Sequence, residues 1–175
     1  VLVFSGDLGP KGTPMLRDAA PVARADLVLM ESTYGNRSHR ERSATLAQIG
    51  DVLERAWKEG GNVLIPAFAV GRTQDLIFHL GRFYQQGRLP QQAVFLDSPM
   101  AIRANGIYNH YIDQFNPQDR ALLAGKGIRR IEDWLPVLRC TASPEESMAI
   151  NRIKSGAIII AGSGMCEGGR IVHHL

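Results

Sequence analysis

Cysteine is scarce in this chain: only Cys140 and Cys166 occur among 175 residues. Two cysteines cannot build a disulfide framework, and such usage fits a reducing, cytoplasmic setting. Long apolar runs are missing as well. The longest span four or five residues, far short of the ~20 that cross a bilayer. No basic start leads into an apolar segment and a small-residue cleavage site, so no signal peptide and no membrane partner are expected. An excess of one charge is also lacking. Lys plus Arg is 20, Asp plus Glu is 17, and the net charge is +3. That balance is compatible with a polyanionic partner without requiring one. There is no internal repeat, low-complexity tract or long charge run, hence no evident tail or linker.

What is present suits a folded protein. Hydrophobic residues make up 45% and charged residues 21%, ordinary proportions for a globular chain with a real core. The length suits one domain, or one and a part. Val1 lies inside a strand-like run and His173-His174-Leu175 inside a helix-like one. The chain is therefore expected to be a piece of a longer protein.

Six short apolar runs punctuate it: Val1 to Phe4, Leu27 to Met30, Val63 to Ile65, Ala93 to Leu96, Val137 to Cys140 and Ala157 to Ile160. None alternates with polar residues, the pattern of parallel strands buried on both faces. Leu46, Ile49, Val52, Leu53, Ala56 and Trp57 form a helical stripe. Gly60-Gly61 should end that helix. Leu76, Ile77, Leu80, Phe83 and Tyr84 make a second stripe, ending near Gly87. Ser143-Pro144-Glu145-Glu146 opens a third helix: a serine cap, proline in the first turn and a glutamate placed for a capping box. Residues 101–135 carry breaker signals at Asn105-Gly106, Asn116-Pro117 and Gly125-Lys126-Gly127, so short helices are expected. Strand-helix alternation predicts an α/β fold with a mainly parallel, Rossmann-like sheet flanked by helices.

In such sheets ligands bind beyond the carboxyl ends of the strands. Three runs are followed closely by a carboxylate: Asp7, Glu31 and Asp97. Asp97 and Ser98 read first as helix caps or structural support. For Asp7 a structural and a functional role weigh equally on local grounds. Glu31 directly abuts an apolar strand and is no cap type, so it is expected to be paired or to titrate abnormally. Two loops suit phosphate. Gly71-Arg72-Thr73 opens the second helix, where free N–H groups, the helix dipole and a bidentate guanidinium coincide. The glycine-rich stretch Gly162 to Gly169, ending in Arg170, has the same character. Either could equally be a plain strand-to-helix turn.

Several patterns fail. The third position of GxGxxG is Glu167, and Lys11 precedes Gly12 where a phosphate-binding P-loop needs the reverse. There is no CxxC, and both cysteines are expected to be buried small hydrophobes. No histidine pair has metal-binding spacing. His39, His79 and His110 are isolated, with His79 read as an ordinary helix residue, and His173 and His174 are adjacent, so they point to different faces.

Five blocks, in order, resemble the β-CASP branch of the metallo-β-lactamase fold. They are Phe4-Ser5-Gly6-Asp7-Leu8-Gly9, Leu29-Met30-Glu31-Ser32-Thr33-Tyr34-Gly35-Asn36-Arg37, Ile65 to Gln74, Asp97-Ser98-Pro99-Met100-Ala101, and Gly162 to Leu175. The variant is similar to bacterial and archaeal RNA-acting members and, more distantly, to the endonuclease of pre-mRNA cleavage. The resemblance implies phosphodiester hydrolysis at a two-zinc site, where paired metals lower the pKa of bound water and clamp the phosphate. It implies that Asp7 bridges the zincs. It also implies that Glu31 supports a catalytic histidine through a hydrogen bond. Arg72, Thr73, Ser98, Ser163, Gly164 and Arg170 would face the RNA backbone. Single-stranded RNA is the expected partner, and a homodimer is an expectation drawn from related enzymes.

The departures shape the reading. The family's HxHxDH motif, the single histidine ligand expected before Asp7 and the two histidines expected after the cassette are absent from residues 1–175. Residues 1–35 are thus expected to be part of an incomplete αββα metallo-β-lactamase lobe, and residues 36–175 most of a β-CASP lobe. Such a piece would be catalytic in its parent and inactive alone. The alternative is a non-catalytic single-stranded nucleic-acid-binding module. A nucleotide-binding α/β enzyme is disfavoured by the failed glycine fingerprints.

Overall fold

The computed structural model describes all of residues 1–175. It contains two parallel sheets. The first is a pair, β1 (Leu2–Phe4) against β2 (Leu27–Leu29), with Val3 opposite Val28. The second is four-stranded: β3 (Val63–Pro66), β4 (Ala93–Asp97), β5 (Leu138–Cys140) and β6 (Ala157–Ala161), in the order β3-β6-β4-β5. All six predicted strands are present. Every residue of β6 is buried, as its uninterrupted aliphatic sequence requires of a central parallel strand. β1 and β2 differ from expectation. Most of their residues are exposed, because a two-stranded pair has no layer packed on either face.

Helices flank the larger sheet: α1 (Arg42–Lys58), α2 (Arg72–Gln85), α3 (Pro99–His110), α4 (Pro117–Gly125) and α5 (Pro144–Ile150). The Ser143–Glu146 capping box forms as predicted, with Ser143 Oγ accepting the Glu146 N–H and the Glu146 carboxylate accepting the Ser143 N–H. Asn116-Pro117 starts α4, its side-chain oxygen accepting the Asp119 N–H at 2.9 Å. Asn105-Gly106 does not break the chain. It lies inside α3, because the Asn105 side chain is buried and accepts a hydrogen bond from Gln74 Nε2 at 2.8 Å. That tertiary contact overrides the local turn preference.

Two cores result. Leu53, Ile77, Leu80, Val94, Ile158 and Ile160 lie in the main one, between the sheet and its helices. A second gathers Met15, Phe78, Phe115, Leu123, Ile131 and Trp134 around α4. Trp134 donates its indole N–H to the Phe78 carbonyl at 2.9 Å. Its ring occupies the space that a Cβ on Gly81 would need. Both cysteines are exposed, contrary to the burial expected of them. Cys140 ends β5, an edge strand, and Cys166 lies in the loop after β6 with φ +58°. No helix is long and apolar enough to cross a membrane.

Candidate nucleic-acid interface

Because all strands within each sheet are parallel, the loops singled out by sequence emerge at their carboxyl ends. At the small sheet, the Ser5 N–H donates to the Leu29 carbonyl at 3.0 Å, and the Glu31 N–H donates to Ser5 Oγ at 3.3 Å. Asp7 and Glu31 therefore follow adjacent strands on the same edge. Asp7 is exposed. Glu31 is exposed too, and its carboxylate accepts the Thr33 N–H at 2.8 Å. The Thr33 N–H, then the Thr33 hydroxyl, hold its carboxyl below the ordinary range. The perturbation expected of Glu31 thus comes from hydrogen bonding. The apolar strand beside it is itself too exposed to desolvate it.

At the large sheet, Gly71 opens α2 with φ +81°, a left-handed conformation that a side chain would strain. Gln74 organises this turn. Its Oε1 accepts the Gly71 N–H at 2.8 Å, while its Nε2 donates to Ala69 O and to Asn105 Oδ1. Thr73 is buried and its hydroxyl donates to Phe68 O at 2.7 Å, so Thr73 fastens the loop from within. Arg72 points outward, its side chain 65% exposed, with one contact to Asp75 at 3.2 Å. Burial pushes the Asp75 carboxyl up, but His79, Arg72 and Arg42 outweigh that and leave it lowered.

Ser98 Oγ accepts the Ala101 N–H at 3.3 Å and caps α3. Asp97, beside it, is buried beneath the loop after β6. Its carboxylate accepts hydrogen bonds from Thr141 Oγ1 at 2.8 Å, Ser147 Oγ at 2.5 Å and Arg170 at 2.6 Å. His174 Nε2 lies 2.8 Å away. Burial alone would raise this carboxyl. The bonds from Ser147, His174, Thr141 and Arg170 reverse the effect and hold it below its ordinary range. Arg170 also donates to the carbonyls of Thr141 and Ala142. Its guanidinium is thus directed inward, not toward solvent as expected of a phosphate ligand. The Ser163 N–H donates to Gly168 O at 2.9 Å, closing the loop on itself, and Gly164 lies against the Phe68 ring.

Sequence reasoning missed two features. The Asp97–His174 pair joins residues 77 apart and no local spacing announces it. Met15 is buried in the second core although it sits in a polar loop. The apolar trio Pro14-Met15-Leu16 was the available signal. The loop bearing Met15 faces the start of α2 across a cavity of about 350 Å³, lined by Pro10, Leu16, Arg42, Phe68, Arg72 and Tyr108 among others.

No three His, Cys, Asp or Glu side chains converge as a metal site. Zinc takes three or four protein ligands, and Asp7 supplies one, so residues 1–175 by themselves do not fit a zinc pair.

Comparison with known proteins places this geometry in context. The Beta-Casp domain matches residues 73–175, covering α2, the four-stranded sheet after β3 and the loop after β6. Ribonuclease TTHA0252 of Thermus thermophilus is 43% identical over 99% of the chain, which spans 39% of that relative. An RNase J-like protein of Methanocaldococcus jannaschii is 26% identical over 99% of the chain and 39% of its own length. Endoribonuclease ysh1 of Schizosaccharomyces pombe is 30% identical over 70% of the chain and 16% of its own length. The chain thus spans well under half of the relatives it matches. A parallel sheet whose carboxyl-end loops carry the matched motifs, together with the domain match over most of its length, makes this chain a member of the β-CASP family.

Proposed function

We propose that the chain is part of a metal-dependent ribonuclease, acting on single-stranded RNA. In this reading residues 1–35 belong to a metallo-β-lactamase lobe and residues 36–175 to the β-CASP domain that grips the RNA. One observation carries the reading. The loop that follows Asp7 supplies Pro10 and Thr13 to Leu16 to one side of a 350 Å³ cleft whose other side is the Arg72-bearing start of α2, so the segment after the candidate carboxylate and a basic helix start share one opening. Arg72, exposed at a helix N-terminus, is suited to a backbone phosphate. The relatives named as ribonucleases support the reaction class. Asp7 is the candidate zinc ligand and Glu31 the candidate partner of a catalytic histidine. The zinc ions' other ligands would come from residues outside 1–175, so no reaction step is assigned to this chain alone. Ser163 and Gly164 are the candidate backbone contacts of the loop after β6. The test is RNA cleavage by the full-length protein with and without a chelator. Chelation and Asp7→Ala should each abolish cleavage, and the isolated chain should cut nothing. Metal-dependent cleavage by residues 1–175 alone, lost on Asp7→Ala, would overturn the assignment of the remaining ligands elsewhere.

A second reading, a non-catalytic RNA clamp, draws on the exposed Arg72 at the N-terminus of α2. It requires salt-dependent RNA binding by the isolated chain, without cleavage by the full-length protein.

A further inference from the structure

Residues 5–20 form a mostly exposed loop whose buried anchor is Pro14-Met15. Met15 is only 2% exposed, its side chain packed among Phe78, Phe115, Leu123, Ile131 and Trp134. Its backbone is equally committed. The Met15 N–H donates to Asp119 Oδ2 at 2.8 Å, and its carbonyl accepts the Asn116 N–H at 3.0 Å. Asn116 Nδ2 donates onward to Leu16 O at 3.3 Å and to Asp119 Oδ2 at 2.6 Å. All of these partners belong to the N-terminus of α4, about a hundred residues away.

Met15 also has φ +66°. An unbranched L-residue held there is uncommon, and such strain persists only where surrounding contacts over-determine it. Here a buried side chain, a carboxylate acceptor and an amide donor do so together. Nearer Asp7 the loop has lighter ties: the Gly12 N–H donates to Asp18 Oδ1 at 2.7 Å, and Arg42 donates to Gly12 O.

The geometry points to Met15 as a positioning residue: a pin that docks the Asp7-bearing loop on the flank of α2 and α4 and thereby sets the width of the Arg72 cleft. Asp7 and Met15 lie on one short segment, and Pro10 and Thr13 to Leu16 line one wall of that cleft. Releasing the pin frees this wall while the opposite wall, built on α2 and held by Gln74 and Thr73, stays in place. The catalytic consequence rests on the ribonuclease reading above; the docking itself does not.

The test uses the full-length protein and two readouts, amide hydrogen exchange and RNA cleavage kinetics. Met15→Ala and Asp119→Ala should speed exchange at Gly12 and Met15 by about tenfold, the scale of one lost hydrogen bond, and leave β6 amides unchanged. Asp119→Asn, which keeps an acceptor oxygen, and Met15→Leu should stay near the parent. Leu123→Ala opens the same core without touching the loop backbone; it should lower Tm and leave loop exchange alone. For cleavage, Met15→Ala and Asp119→Ala should lower kcat by about ten- to a hundredfold, the effect of misplacing a reacting group by about 1 Å, with KM little changed. Loop exchange no faster than in Leu123→Ala, or a loosened loop with unchanged kcat, would overturn the pin. A parent protein that cleaves no RNA defeats the ribonuclease reading instead, and the exchange data then decide the docking on their own.

Discussion

His174 Nε2 and Asp97 Oδ2 meet 2.8 Å apart with side chains 1% and 0% exposed, at the point where the last turn of the chain folds back over the end of β4. The other ring nitrogen of His174 lies 2.6 Å from Asn151 Oδ1, just past α5. Arg170 reaches the same carboxylate from the loop after β6, Thr141 from the end of β5 and Ser147 from α5. One buried carboxylate thus ties together the elements that frame the loop Gly162–Gly169. A single buried acceptor serving several donors is costly to disturb, because removing it strands every partner at once.

Asp97→Ala should therefore destabilise the fold by about 3–5 kcal/mol, the range for breaking a buried ion pair, read from denaturant unfolding. The pH dependence has a definite sign. The folded carboxyl is held below its ordinary value, so its contribution is fully present above the unfolded pKa of about 3.9. That contribution is lost as pH falls through the lower folded value. Unfolding free energy in the parent should drop on acidification below about pH 4, and the Asp97→Ala variant should show a shallower drop.

The two arginines marked by sequence should separate experimentally. Arg72 is exposed and pairs only with the partly buried Asp75, whereas Arg170 is committed to the fully buried Asp97 and two carbonyls. Arg72→Ala should leave Tm nearly unchanged and, if it contacts a phosphate, reduce the salt dependence of RNA binding by about one unit of slope. Arg170→Ala should lower Tm clearly, with any binding loss following from the disordered loop. Equal losses of RNA affinity at unchanged stability would contradict this division.

Ser143→Ala should cost about 1 kcal/mol, the usual penalty for a lost N-cap. Its hydroxyl accepts the Glu146 N–H and bonds to the Glu145 carboxylate within an exposed capping box, so no buried network is disturbed. Equilibrium denaturation measures the difference directly. A larger loss would mean that α5 transmits its cap to the Asp97–Ser147 bond.

What the sequence reveals follows the range of the interactions. β4 and β6 are legible because burial on both faces demands unbroken aliphatic runs, and α5 because its cap is written in consecutive residues. Asn105-Gly106 misleads, since the partner that keeps α3 intact is Gln74, on another helix. Cys140 misleads because nothing local marks β5 as an edge strand. The candidate site divides the same way. Its loops are legible as a set, each following a strand. The inward commitment of Arg170 is not, because Asp97 becomes its neighbour only once the sheet has formed; that of Thr73 is local, its hydroxyl reaching Phe68 O five residues back, but no side-chain pattern marks it. Met15 lies at the far end of this scale, its partners being on α2, on α4 and in the segment around Trp134.

Gly81 offers the sharpest test of that second core. It lies within α2, where glycine ordinarily costs helix stability relative to alanine by about 0.5–1 kcal/mol. Propensity alone thus predicts that Gly81→Ala stabilises. The structure predicts the opposite, because the new Cβ would stand 2.1 Å from Trp134 Cδ1 and 2.3 Å from its indole nitrogen. The ring cannot swing away cheaply. It is buried, stacked near Phe78 at 5.9 Å between centroids, and fastened by its N–H to the Phe78 carbonyl. Overpacking of this kind costs about 1–3 kcal/mol, and a lost indole hydrogen bond adds to it. Gly81→Ala should therefore lower Tm and blue-shift or broaden the Trp134 fluorescence relative to the parent. A rise in Tm would show that helix propensity, not the Trp134 contact, governs this position.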